Sequence, residues 1–185
     1  METMPPIQRR LFKADLLNVL FQIDMALEGY TTRKSVYLVG GSFMAYEELR
    51  GVTKDIDLIM SRQHFRDLSG IIAEIEHSQG IRIDVFPDGQ LTGYSYPTYA
   101  EHAVRLPVRH VKLDVFRIDD VGFLVMKALA ARPRDLEDID ILIGDRGLPS
   151  SDEMTARFTE LRFEEGGFDE EFRQRFERFM NRYYL

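Results

Sequence analysis

The sequence predicts a mixed α/β (α+β) domain. Three observations carry that prediction. Short β-like runs alternate with helix-like apolar stripes in the order β-α-β-α-β between residues 35 and 86, after a first helix. Further strands and then helices follow, which is the mixed order of an α+β chain. Of the 185 residues, 44% are apolar and 30% charged, so there is enough apolar material for one domain with a sizeable core.

The first helix is expected from about Ile7 to Glu28. Ile7, Leu11, Ala14, Leu17, Phe21 and Met25 recur at steps of three or four and draw one stripe, which Leu16, Leu20, Ile23 and Leu27 widen. Gly29 is its stop. Ser35 to Val39 reads as a strand, broken by Gly40-Gly41-Ser42. A short helix is expected from Phe43 to Leu49, ended by Gly51. Lys54 to Met60 reads as the second strand and Arg62 to His77 as a helix with Phe65, Leu68, Ile71, Ile72 and Ile75 inward. Ile81 to Phe86 is the third strand, closed by the Pro87-Asp88-Gly89 turn. Gln90 to Glu101 reads as a loop, and Val104 to Phe116 holds one or two strands broken near Pro107.

Asp119-Asp120 caps the next helix, which passes through Phe123, Val125, Met126 and Ala130. The residue before a proline avoids helical dihedrals, so Arg132-Pro133 interrupts that helix, and Pro133 begins another running to about Ile143. Gly144 to Ser150 is a loop. Phe168, Phe172, Phe176, Phe179 and Tyr183 form an aromatic stripe on a last amphipathic helix. The expected organisation is a domain over 1–145, with the first helix packed on it, and a helical extension over 146–185.

Composition excludes several functions. With no Cys there are no disulfides, thiol nucleophiles or Cys-based zinc sites. His64, His77, His102 and His110 show no metal-ligand spacing and read as surface or rim residues. No apolar run approaches ~18 residues, and the N-terminus lacks a signal-peptide pattern, so the expectation is a cytoplasmic protein with no membrane partner. The net charge of −7 argues against a nucleic-acid coat protein. Nine acids stand against six Arg in residues 151–185, so much of that charge belongs to the tail and is a poor guide to the substrate.

The informative stretch is Val36 to Met60. Two glycines let the backbone turn sharply and come close to a ligand. Backbone N–H groups at the following helix start favour a phosphate, and Ser42 can add a hydrogen bond. In a strand, residues i and i+2 share a side, so Asp55 and Asp57 project together. Two such carboxylates repel unless a cation lies between them, and Mg²⁺ or Mn²⁺ suits oxygen ligands. Asp84, on the next strand, is the expected third carboxylate: general base toward a hydroxyl and ligand to a second metal. Asp114, on the echoing strand 112–116, is its competitor.

Gly40-Gly41-Ser42, followed 13 positions later by the strand Asp55-Ile56-Asp57, resembles the signature of the DNA polymerase beta superfamily of nucleotidyltransferases. The run from Lys127 through Asp135 to Asp138 resembles a helical element of the bacterial and archaeal abortive-infection and toxin–antitoxin type enzymes. The resemblance covers roughly residues 35–143. It implies a nucleotidyltransferase-like small mixed sheet flanked by helices, with C-terminal helices. It also implies that Gly40, Gly41 and Ser42 contact an NTP triphosphate and that Asp55, Asp57 and Asp84 hold Mg²⁺ or Mn²⁺. The acceptor is a protein hydroxyl, a tRNA end or a small molecule. A homo-oligomer or a cognate toxin or antitoxin is the implied partner.

Blander roles stand beside these. Lys127 either reaches a phosphate, which makes it nucleotide-binding, or pairs with Asp135 or Asp138. Asp84 either serves the metal or pairs with Arg82 or Lys112. Tyr94, Tyr96 and Tyr99 either stack on a base or cover the core, and the core role is the expected one. Three functions follow: a metal-dependent nucleotidyltransferase, a silent nucleotide- or partner-binding module, or an oligomer built on the aromatic tail.

Overall fold

The computed structural model describes residues 10–164 and 168–185. Its elements are α1 (Lys13–Ala26), β1 (Lys34–Leu38), α2 (Gly40–Tyr46), β2 (Ile56–Met60), α3 (Arg62–Gln79), β3 (Ile83–Pro87), β4 (Gln90–Leu91), β5 (Tyr94–Ser95), β6 (Val104–Arg105), β7 (Leu113–Arg117), α4 (Asp120–Ala130), α5 (Pro133–Arg146), α6 (Ser151–Thr159), β8 (Arg162–Phe163) and α7 (Phe168–Tyr184). The mixed α/β class expected from the sequence is the class observed.

The main sheet has the order β3-β2-β1-β7-β6. β1 lies antiparallel to β2 and parallel to β7, while β2 and β3 are parallel. Period-two alternation divides β2 between the two faces. Ile56, Leu58 and Met60 join one cluster with Leu16, Leu20 and Ile23 of α1 and Leu68 and Ile72 of α3. Ile59 joins the opposite cluster with Phe43 of α2, Phe123 and Leu129 of α4, and Ile139 of α5. Burying each such aliphatic side chain contributes about 1.5–3 kcal/mol. The first face is closed by its two helices; the second carries the cleft described below.

Local signals fix the helix ends. Ser61 accepts the His64 N–H at 3.1 Å to cap α3, and Gly80 at φ +62° ends it in the left-handed conformation. Asp119 accepts the Gly122 N–H at 3.2 Å to cap α4. Pro133 occupies the first turn of α5, as expected.

The first helix departs from its expectation in start and in face. Residues 7–9 lie outside the described residues. Leu11 forms an antiparallel bridge with Thr53, each donating its N–H to the other's carbonyl at 2.8 Å, so the helix begins only at Lys13. The buried stripe is Leu16, Val19, Leu20, Ile23 and Leu27, whereas Phe21 and Met25 are each 52% exposed. The reason is Asp24. Its carboxylate accepts the N–H groups of Val111, Lys112 and Leu113 at 3.0, 2.6 and 2.8 Å, which turns its side of α1 onto the start of β7. Burial raises the Asp24 pKa, but these bonds and nearby His110 outweigh it and hold the carboxyl below its usual value.

His110 is also not a surface residue: its side chain is 7% exposed, with Nδ1 3.6 Å from Asp24. His64 is half-buried, and its Nδ1 takes the Ser35 N–H at 3.1 Å.

The stretch expected as a loop contains the β4–β5 hairpin, and β8 pairs with β5 to make a second, three-stranded sheet. α6 lies in the expected helical extension, at a place where no particular helix was named, and a Ser150–Glu153 capping box starts it. Met154 and Phe158 of α6 and Phe172, Phe176 and Phe179 of α7 share the cluster of Phe123 and Leu124. Phe158 and Phe176 stack at 4.2 Å. Of the expected stripe, the Phe168 side chain lies outside the described residues. Among the described residues, no helix is long and apolar enough to cross a membrane.

Candidate active site

Val39 is extended, and Gly40, at φ +51°, opens α2 directly. The Gly-Gly-Ser run is therefore the first turn of the helix, not a loop before it. A Cβ on Gly40 would stand 2.6 Å from Asp57 Oδ2, and one on Gly41 would stand 2.2 Å from Thr53 Oγ1. The two glycines thus serve a close approach of α2 to β2. Two hydrogen bonds seal it. The Gly41 N–H donates to Asp57 Oδ2 at 2.8 Å, and the Asp57 N–H donates to Ser42 Oγ at 2.7 Å. Ser42 is 0% exposed. Its hydroxyl oxygen is engaged in holding β2, so the side chain expected at a phosphate stands behind the turn instead.

The strand starts one residue later than the pair requires: Asp57 is on β2, on the side away from Ile56 and Leu58, while Asp55 is in the bend just before the strand, and both line the cleft. The parallel pairing of β2 with β3 sets Asp57 directly opposite Asp84. Asp114 sits elsewhere: on β7, it is paired with Arg33 at 2.7 Å and Arg105 at 2.6 Å. The Arg33 hydrogen bond, with both charges, outweighs burial and holds its carboxyl below the usual range.

The three cleft carboxylates differ in their partners. Burial pushes the Asp57 pKa up to about 6. The Gly41 N–H opposes that rise, and the charges of Asp84 and Asp55 add to it. Asp55 Oδ1 is buried with no hydrogen-bond partner. Asp84 Oδ1 accepts from Arg82 Nε at 2.8 Å, the pairing weighed as its alternative role. Among the described residues, no group of three His, Cys, Asp or Glu side chains is already arranged as a metal cage. The donor set nevertheless suits a hard divalent ion. It is all oxygen, one atom is buried and unsatisfied, and Asp57 carries a charge its surroundings disfavour.

Across the cleft lies a network on α4 and α5. Lys127 Nζ donates to Asp135 Oδ1 at 2.8 Å and to Asp138 Oδ2 at 2.7 Å. Arg132 Nε reaches Asp135 at 2.6 Å, and Arg50 reaches Asp138 at 2.7 Å. Burial disfavours the Asp135 charge, yet the bonds from Arg132 and Lys127 prevail and hold its pKa low. The pairing expected of Lys127 is therefore present with both acids. An ammonium has three donors, so one is left for a ligand.

These walls enclose a cleft of about 670 Å³ lined by Gly40, Gly41, Asp55, Asp57, Asp84 and Lys127. Lys54, Arg82, Arg132 and Arg134 also line it. Lys54 and Arg134 are exposed and have no ion-pair partner among the described residues. This basic rim was not among the expected site residues, although Lys54 directly precedes Asp55 and Arg132 and Arg134 bracket Pro133. Nor was Arg50, whose partner is 88 positions away.

A family described as "Nucleotidyltransferase of unknown function (DUF6036)" matches residues 14–165. The chain is similar to the solved structure of an antigenic nucleotidyltransferase-like protein from Paracoccidioides brasiliensis, at 16% identity and a TM-score of 0.49, over 82% of this chain and 88% of that chain. No curated protein matches the chain.

Proposed function

The chain belongs to this nucleotidyltransferase family, and from that premise we propose that it moves an NMP from an NTP onto a hydroxyl acceptor. The observation that carries the reading is the facing of Asp57 and Asp84 on adjacent parallel strands, with Asp55 beside them, in a cleft rimmed by Lys54 and Arg134.

Asp55, Asp57 and Asp84 would hold Mg²⁺ or Mn²⁺. A bound divalent ion supplies charge neutralisation to the triphosphate and to the developing oxyanions. The first turn of α2 is the phosphate side, where Gly40 and Gly41 leave room for close approach although the Gly41 N–H is held by Asp57, with Lys127's remaining donor opposite. The rim cations draw in a polyanion despite the net charge of −7. In the transfer, the acceptor oxygen attacks the α-phosphorus and the bond to the bridging α–β oxygen breaks. Pyrophosphate leaves, and the acceptor proton passes to the Asp84 carboxylate. The acceptor is a protein hydroxyl, a tRNA end or a small molecule. A homo-oligomer or a toxin–antitoxin partnership is the biological setting that the sequence resemblance suggests.

The test is incubation with α-labelled NTPs, Mg²⁺ or Mn²⁺ and each acceptor class, comparing wild type with Asp55→Asn/Asp57→Asn. Label should pass to one class and vanish in the double variant. Transfer that survives the double variant sinks the assignment. A second reading, a nucleotide-binding module without turnover, draws on the Arg82–Asp84 pair, which occupies one oxygen of the proposed base. Calorimetric NTP binding with no labelled product would favour it.

A further inference from the structure

The tyrosines of residues 94–99 have three different fates. Tyr96 takes a hydrogen bond from Arg157 at 2.7 Å on its hydroxyl. Tyr99 packs edge-on against Tyr37, with ring centres 4.9 Å apart. Neither lines the cleft. Tyr94 does line it; its ring is buried, the residue being 4% exposed, and its hydroxyl, without a hydrogen-bond partner among the described residues, remains accessible from the cleft. A phenol with a buried ring and an accessible hydroxyl offers a ligand an apolar edge and one donor.

The ring is also held in place. Tyr94 pairs across strands with Leu91 and with Phe163, and its ring meets Phe172 edge-on at 5.2 Å and Phe163 at 6.4 Å. Burial, with the charge of Asp135 adding, pushes its hydroxyl above the usual phenol range, so it stays protonated and able to donate at neutral pH.

The surroundings of Tyr94 are apolar. β3 turns from Asp84 to Phe86, two residues on along the same face. Phe86 and Leu91 line the cleft from the sheet side, and Phe123, Met126 and Ala130 line it from α4. One volume thus joins a carboxylate-and-cation part, suited to a triphosphate, to an apolar part whose hydrogen-bonding side chain is Tyr94. Flat, apolar-faced ligands with a polar edge fit that second part.

We propose that the apolar part of the cleft receives the nucleobase of the bound nucleotide, and that the Tyr94 hydroxyl hydrogen-bonds the edge of that base and sets which base is preferred. The inference rests on the nucleotidyl-transfer reading. Its experiment is calorimetric titration of the full chain and of Tyr94→Phe, in Mn²⁺, with ATP, GTP, CTP, UTP and inorganic tripolyphosphate. Wild type should bind its best NTP at least about tenfold more tightly than tripolyphosphate. Tyr94→Phe should compress the ratio of best to worst NTP by about tenfold, the worth of one hydrogen bond, and leave tripolyphosphate affinity unchanged. Equal affinity of wild type for tripolyphosphate and all four NTPs overturns the inference while leaving the triphosphate site standing. Unchanged NTP ratios in a folded Tyr94→Phe also overturn it. Failure of all five ligands to bind overturns the nucleotidyl-transfer reading itself. The tripolyphosphate comparison needs no variant, so it decides even if Tyr94→Phe does not fold.

Discussion

Asp24 and Asp57 are the same residue type on opposite sides of one sheet, the first buried and the second half-buried at the wall of the cleft. At the junction of α1 with β7, Asp24 accepts three successive backbone N–H groups and has His110 beside it, so its pKa is lowered. In the cleft, burial outweighs the single N–H that Asp57 accepts from Gly41, and the charges of Asp84 and Asp55 add to it, so its pKa rises to about 6. The first carboxylate is a finished piece of structure. The second is left short of partners, which is the state in which a cation gains most by binding. Satisfaction, not burial, separates a structural aspartate from a reactive one.

The largest expected effect falls on the cleft. Asp57→Asn should reduce labelled transfer by ~10³-fold or more, an effect of about 4 kcal/mol on the barrier, while the folded state persists. Gel or thin-layer assays of label transfer read this directly. A fall of less than tenfold would remove Asp57 from the chemistry. Asp24→Ala should do the reverse. Three N–H groups lose one acceptor, so stability should drop by about 3 kcal/mol, lowering the melting temperature by roughly 6–12 °C. Activity per folded molecule should be unchanged. Chemical denaturation and calorimetry check the first statement, and transfer assays below the transition check the second.

A smaller effect sharpens the contrast by ligand. At Mn²⁺ a hundredfold above its dissociation constant, binding to the folded state contributes about 2.7 kcal/mol. Mn²⁺ should therefore raise the wild-type melting temperature by several degrees. It should do the same for a mildly destabilised Asp24→Asn chain and do little for Asp57→Asn. A full Mn²⁺ shift retained in Asp57→Asn would mean that the ion binds elsewhere.

Parts of this contrast were legible in the sequence, and parts were not. The alternation through Asp55-Ile56-Asp57-Leu58 told which side of β2 would be polar, and chain order told that Asp84 would lie next to it, as the β2–β3 register bears out. The face of α1 was misread because the helix is apolar on two sides. What selects between them is Asp24 reaching residues 87 to 89 positions later, which no local period encodes. The same limit hid the Tyr94–Phe163 pairing and the second sheet. Ser42 was misjudged for a different reason. The glycines allow α2 to start at Gly40 and press on β2, which carries the hydroxyl inward, and a turn-forming run does not announce whether it ends a loop or begins a helix. The start of α6 was readable, since Ser150 and Glu153 have capping-box spacing.

The last effect is the most discriminating because its sign differs between the two aspartates. Asp24 has a folded pKa below its unfolded value near 3.8. Its contribution is present above pH 4 and is lost as the pH falls through the lowered folded value. Asp57 has a folded pKa of about 6, above its unfolded 3.8. Its contribution is complete below pH 4 and is lost as the pH rises through 6. In metal-free buffer, the stability difference between wild type and Asp24→Asn should therefore shrink toward acid. Relative to Asp57→Asn, wild type should lose ground between pH 4 and 7. Denaturant titrations carried from pH 7 to well below pH 4 read both curves. Parallel slopes would show that the two carboxylates are held alike, and with that the reason for placing a cation at Asp57, and none at Asp24, would go.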